Sequence, residues 1–487
     1  PDDATVDVTL DTSITTNVTD VTRHATARVT FKDKTVKEVT VNYKVLRKLS
    51  TANTIYDFAG VSHGSGHSAY YVNNGHNIPD GMSWSYKKEN GTEQPENTFT
   101  STLEKDSVGT TNYTFIGKYN YGRFTNTPTD GEKLRHEETL VHKVFNVEAN
   151  TTKLTVAKGH QLTAKEAESA VMKATNSDNL PTGTTYEWVN ESGTPTTLTT
   201  NTAGVHTYHV KVTLPVSQTG TELPTATQVK PSKTIEASVT VKPTAPEVTP
   251  DNNGNVKVGN ANQTDVDRLE VTYTPNPTRR LQDNGRVVET DQARTTIIAT
   301  KGTDNQWTIQ QGAKDGIDIS NTGEITLKDY VVKDQTSVEA KVLTQNIASN
   351  VTTKKALNGE STVPVIGANS TLVSVGKTVN IPLKVTDDGV GVDENNIKVT
   401  NLPDGLSYDT TTKSIKGTLN TVTKQEVKVT VLDKNGNKAE KTISIAAVKP
   451  KAIYAIKDDT IKNVDNASNF VEVPAGVTLT SASWKDN

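Results

Sequence analysis

One phrase recurs along this chain. "IPDGMSWSYKKE" at residues 78–89 returns as "LPTGTTYEWVNE" at 180–191, and "VPAGVTLTSASWKDN" at 473–487 keeps the same Pro-x-Gly then Trp order. A close variant, "LPDGLSYDTTTKSIKGT", occupies 402–418. Downstream of the first two copies Gly109 and Tyr113 recur as Gly204 and Tyr208, and Pro79 recurs as Pro181. The repeating unit is therefore about 100 residues, an ordinary domain size. A chain of 487 residues built this way is an array of small modules, each burying its own core.

The pattern inside the modules is that of strands. In "ATARVTFKDKTVKEVTVNYKV" (25–45), Val39, Val41, Tyr43 and Val45 alternate with Thr40, Asn42 and Lys44, the period of two of a half-buried strand closing a hairpin. Aromatics make up 5% of the chain and hydrophobics 33%, so the cores are thin and rich in β-branched residues. We expect an all-β chain, an elongated tandem array of β-sandwiches. One short helix is predicted over 161–174. There Thr163 and Glu166 form a capping box, Leu162 staples onto Ala167, and Ala167, Ala170, Val171 and Ala174 share a face. A weaker equivalent is expected over 457–470.

Prolines that end alternating strands, Pro243 after "TIEASVTV" and Pro450 after "KTISIAAVK", mark boundaries. The expected modules are 1–46 (the back part of one), 47–148 (aromatic-rich), 149–243, 244–356, 357–449 and 450–487 (the front part of another). Partial modules at both ends suggest a slice of a longer array.

Composition excludes several classes of function. With 52 basic and 56 acidic residues the net charge is −4, which offers no cationic surplus for nucleic acid. No run of about 18 apolar residues spans a membrane. The absence of cysteine removes disulfides, thiolate catalysis and Cys-based zinc sites together. No spacing nominates a catalytic pair, so no enzyme is expected.

Two stretches carry family resemblances. "LPTGTTYEWVNE" followed by "TNTAGVHTYHVKVTLP" resembles the Rib/alpha-like repeat of Gram-positive surface proteins. "NLPDGLSYDTTTKSIKGTLN" followed by "VKVTVLDKNGNKAEKT" resembles the cadherin-like Ig module of bacterial adhesins. The mixture is similar to the non-helical region of giant staphylococcal matrix-binding proteins. These resemblances imply Ig-like sandwiches on an extracellular, wall-attached, monomeric adhesin, with host matrix protein such as fibronectin, or a glycan, as the partner.

Two candidate sites follow. The module 47–148 holds five of the 7 Phe and seven of the 14 Tyr. Its Gly, Ser and His-rich stretch reads as a long loop in which Tyr56, Phe58, Tyr70 and Tyr71 would contact a ligand, the alternative being a larger aromatic core. In that loop His63, His67 and His76 have zinc-ligand chemistry but no carboxylate support, and Ser65 lacks a nucleophile elbow, so solvated side chains are the plainer account. The second candidate is a calcium site; no cofactor is otherwise expected, and the plain turn reading is preferred. Asp387 and Asp388 in "VTDDGVGVDENN" and Asp433 in "VLDKNGN" lie at strand ends where a hard cation would gather oxygens from two neighbouring loops, and the cadherin-like resemblance implies such residues at a joint between domains, while "DKNGN" alone is also a sound type I′ turn.

Overall fold

The computed structural model describes residues 7–10, 22–49, 51, 54–61, 78, 80–99, 107–215, 230–259, 263–458 and 460–480. It divides into two compact units, Pro1–Thr200 with Val205–Thr240, and Asn201–Gly204 with Val241–Asn487. Both are built of β-sheets.

In the first unit Thr22–Thr30 pairs antiparallel with Val36–Lys44, and Asp7–Leu10 pairs with the other edge of Thr22–Thr30. Ala25 and Ala27 are buried, but Val39 and Val41, expected on a covered face, are 43% and 39% exposed. Nothing among the described residues covers them, so alternation here does not mark a core.

A five-stranded sheet follows, in the order Thr54–Phe58, Lys133–Phe145, Gly109–Gly122, Met82–Lys88, Gln94–Pro95. Its first strand lies parallel to its last, Phe58 opposite Phe145, a closure that requires a crossover rather than a hairpin. Phe99 packs edge-on against Trp84, Tyr86 and Phe115 at centroid distances of 5.7, 4.9 and 5.4 Å, arrangements that aromatic quadrupoles favour. Much of the aromatic excess is thus core. Beneath it, Asp57 and His142 are fully buried and joined by a 2.9 Å hydrogen bond.

Beyond it, Leu154–Ala157, Ser232–Lys242, Gly204–Thr213 and Thr185–Val189 form a sheet in that order. The capping box forms as expected: Thr163 Oγ1 accepts from the Glu166 N–H while the Glu166 carboxylate accepts from the Thr163 N–H at 2.8 Å. The helix itself covers only Ala164–Ser169. Val171–Lys173 leaves it as a strand that pairs with Val147–Ala149, because a β-branched residue beside an open strand edge gains more from the ladder than from another helical turn. The equivalent expected over 457–470 is a single 3₁₀ turn, Ala467–Asn469.

The repeated phrase proves to be one turn used repeatedly. Thr184, Leu406 and Val477 each donate their N–H to the proline carbonyl three residues earlier, at 3.2, 3.1 and 3.2 Å. Gly183, Gly405 and Gly476 sit third in these turns at φ of 93°, 89° and 76°. A positive φ there defines a type II turn and selects glycine. Proline takes the first position, as acceptor, rather than the second where it would preset φ. Pro79 and Trp484 lie outside the described residues. Trp84 and Trp188 are buried in their cores, and Trp188 Nε1 donates to the Thr163 carbonyl at 2.8 Å, tying the helix cap to the sheet.

The second unit holds two separate cores. One gathers Leu269, Val271, Tyr273, Ile297, Ile325 and Val338 between a four-stranded and a six-stranded sheet. Burial pushes the Tyr273 hydroxyl up to about 12. The other gathers Val379, Ile381, Ile415, Val427, Val429 and Ile443, and in it Thr371–Ser374 again runs parallel to the last strand, Lys438–Pro450. Pairing does not stop at Pro450, which faces Val471 at the end of the ladder, where the missing N–H costs no bond.

A Cβ on Gly405 would lie 2.2 Å from the Thr418 carbonyl oxygen. Gly405→Ala is expected to cost about 1–3 kcal/mol in urea unfolding of the full chain; an unchanged midpoint would show that the turn relaxes freely. His142→Ala removes a buried hydrogen-bond partner of Asp57 and is expected to cost about 1–3 kcal/mol. Hydrogen exchange across Lys133–Phe145 measures this, and wild-type protection in the variant contradicts it.

Candidate metal centre

The second unit brings acidic side chains together between its two cores. Asp387 follows the strand Lys384–Thr386 and folds back, its Oδ2 accepting the N–H groups of Gly389 and Gly391 at 3.0 and 2.7 Å. Asp433 ends the strand Thr423–Asp433, 1% exposed, and its carboxylate accepts from the Asn437 N–H at 2.7 Å and the Asn437 side-chain amide at 2.8 Å. Glu360 lies on the segment between the cores, its carboxylate accepting from the Thr362 N–H at 2.7 Å. Glu360, Asp387 and Asp433 each place one oxygen within 4.8 Å of the others.

The turn after Asp433 differs from expectation. Gly436 donates its N–H to the Asp433 carbonyl at 3.1 Å and has a φ of 89°, while neither Lys434 nor Asn435 has a positive φ. A type I′ turn needs positive φ at both central residues; this is a type I turn followed by a left-handed glycine. That geometry turns the Asp433 carboxylate inward to cap Asn437, so turn and acidic cluster form together.

Asp388 is exposed and stands outside the group: its neighbour caps the loop from within, and the next side chain faces water. Glu360 takes the place that Asp388 was expected to hold. A further acid that sequence reasoning missed, Asp329, starts the 3₁₀ turn Asp329–Val331 and is 2% exposed. Its Oδ2 accepts from the Glu360 N–H at 2.9 Å and closely from the Asn435 side-chain amide. Gly254 and Gly359 press on it so tightly that a Cβ on either would come within 2.0 and 2.4 Å of its Oδ1. An acid inside the apolar run "TLKDYVV" was the available signal for Asp329. For Glu360 it was an acid in a linker.

Burial pushes both the Asp329 and Asp433 carboxyls above the usual range, and the Glu360 charge adds to each shift. Among the described residues no Lys or Arg pairs with Glu360, Asp387 or Asp433. Buried Oδ1 atoms of Asp329, Asp387 and Asn435 accept no hydrogen bond. All are oxygens, the donor type a hard divalent cation gathers at about 2.3–2.6 Å. The residues fit calcium, with Glu360, Asp387 and Asp433 as the side chains that would hold it.

The same region is bridged by an arm. The hairpin of Thr278–Leu281 and Val287–Thr290 buries Leu281, whose N–H donates to Asn396 Oδ1 at 2.7 Å, while Asn396 Nδ2 donates to the Arg279 carbonyl at 3.0 Å. Lys398 meets Asp283 at 2.9 Å, and Lys434 meets Asp315 at 2.8 Å.

The aromatic candidates are placed differently from expectation. Tyr56 and Phe58 lie on a strand, not in a loop. Phe58 is fully buried and Tyr56 packs at a tilt against Phe145, centroids 5.9 Å apart, so Phe58 presents no surface to a ligand. Tyr70, Tyr71, His63, Ser65, His67 and His76 lie outside the described residues.

Residues 360–448 match the family described as "Putative Ig domain", and Glu360, Asp387 and Asp433 all fall within that stretch. The "Serine-rich adhesin for platelets" of Staphylococcus aureus is 31% identical over 186 residues in strains MRSA252 and USA300, covering 33% of this chain. The chain spans 13% and 8% of those two relatives. Among solved structures, Sidekick-1 immunoglobulin domains 1–5 cover 82% of this chain and 97% of that one, with 8% identity and a TM-score of 0.19. Domains 1–6 of the surface layer protein SbsC cover 76% of this chain and 50% of that one, with 13% identity and a TM-score of 0.19. Superpositions this loose carry no functional argument. The sequence matches and the all-β architecture are those of a Gram-positive surface protein built of Ig-like repeats.

Proposed function

We propose that this chain is a non-enzymatic segment of a bacterial surface adhesin: a string of separately folded Ig-like modules, wall-attached through the larger protein, that carries binding surfaces outward. Its partners on this reading are host matrix proteins, fibronectin among them, or glycans. Calcium held by Glu360, Asp387 and Asp433 stiffens the junction of the last two cores. The observation that carries the reading is the repeated closure of small, separate cores by their own strands, with buried acids concentrated where two cores meet instead of in a cleft. The staphylococcal adhesin relatives point the same way. No helix among the described residues is long and apolar enough to cross a membrane.

Pulling the full chain from both ends is expected to give discrete unfolding events, each releasing about 330–360 Å of chain per module of about 100 residues. A single cooperative rupture would overturn the modular stalk. Calcium at a hundredfold excess over its dissociation constant is expected to stabilise the second unit by about 2.7 kcal/mol in calorimetry. The gain should vanish in Glu360→Gln/Asp433→Asn and persist in Asp388→Asn. An equal response from all these proteins, or none, removes the cation from the reading.

A further inference from the structure

Phe124 is 95% exposed, a large apolar side chain with no packing role. It stands on a tight turn in which the Gly122 N–H donates to the Thr125 carbonyl at 2.9 Å. The turn has little freedom: a Cβ on Gly122 would meet Thr125 Cγ2 at 2.8 Å and Pro128 at 3.1 Å. Beside it the Tyr121 ring lies over Gly81, 3.0 Å from where a Cβ would be, and stays 43% exposed. Tyr121 and Phe124 thus both present aromatic surface to water at the same cleft. Exposed aromatics grouped in this way mark recognition surfaces.

These rings line a cleft of about 570 Å³ between the end of the Thr22–Thr30 and Val36–Lys44 hairpin and the Gly122–Thr125 turn. That volume suits a small ligand or short oligomer. Lys44 and Arg123 contribute positive charge, and among the described residues no carboxylate lines the cleft. Described acids near the lining residues in sequence are engaged elsewhere, Asp130 with Lys133 at 2.8 Å, Glu132 with Thr129 at 2.8 Å and Glu38 with Arg28 at 3.2 Å. Among the described residues neither Lys44 nor Arg123 forms an ion pair. Asn42, Thr125 and Asn126 add amide and hydroxyl groups to the wall.

Cationic groups, flat rings and neutral hydrogen-bonding groups in one cleft match one chemistry best. We propose that this cleft binds an acidic saccharide. Its carboxylate or sulfate groups meet Lys44 and the planar fork of Arg123. The C–H faces of its rings lie against Phe124 and Tyr121, and its hydroxyls bond to the amides. An acidic peptide would satisfy the cations but would leave the exposed rings of Tyr121 and Phe124 without flat partners.

The test is calorimetric binding to the full chain of three probes: a heparin-derived hexasaccharide, its desulfated and carboxyl-reduced counterpart, and polyglutamate. The intact chain should bind the first, bind it more weakly as salt rises from about 50 to 200 mM, and ignore the other two. Arg123→Ser and Phe124→Ser, both at exposed positions, should each weaken binding by about tenfold, as expected for loss of an anchor. Absence of heparin binding, undiminished binding by both variants, or equal binding of polyglutamate overturns the proposal. None of these results bears on the modular stalk, which the pulling experiment tests separately.

Discussion

A single hydrogen bond organises the repeats: an N–H donated to the proline carbonyl three residues earlier, with glycine held at positive φ before the donor. At Gly405 the constraint is doubled, since Gly417 opposite would place a Cβ 2.0 Å from the Gly405 carbonyl oxygen. Reversing the chain this tightly fixes the register of the strand that follows, and register decides which residues enter the core. Leu406 and Tyr408 after one copy pack against their module's core, and Trp188 after another is buried. From turn to register to core, the strand after each such turn is placed locally, which suits an array without disulfides.

Polar energetics concentrate where two such cores meet. Burying Asp329 and Asp433 is costly unless their oxygens are satisfied, and backbone and asparagine N–H groups satisfy most of them. Among the described residues the acceptors left over have no donor, and this surplus of oxygen over hydrogen is the basis on which a cation is proposed there. The Leu281 arm adds a conventional apolar contact and the Asn396 amide pairing, so the junction does not rest on charge alone.

The accuracy of the sequence reading followed how local each feature is. The capping box at Thr163 and Glu166 was readable because both residues belong to one turn of chain. The early end of that helix was not, because it depends on the open edge of Val147–Ala149 brought alongside. Phe58 looked like a loop residue from its Gly-rich neighbours, yet its strand pairs with Lys133–Phe145, far along the chain. Asp388 and Asp387 are indistinguishable in sequence. Which one turns inward is settled by the N–H groups of Gly389 and Gly391.

By itself the sequence determined that this is an all-β chain of repeated modules, because period-two alternation and Pro-x-Gly turns act over a few residues and need no partner. Only the tertiary structure decided that Glu360, Asp387 and Asp433 converge, since they come from a linker and two loops that meet when the sheets close. It also decided which aromatics are core and which, like Phe124, face water. Burial depends on what packs from elsewhere in the chain, and that information lies in no single stretch of residues.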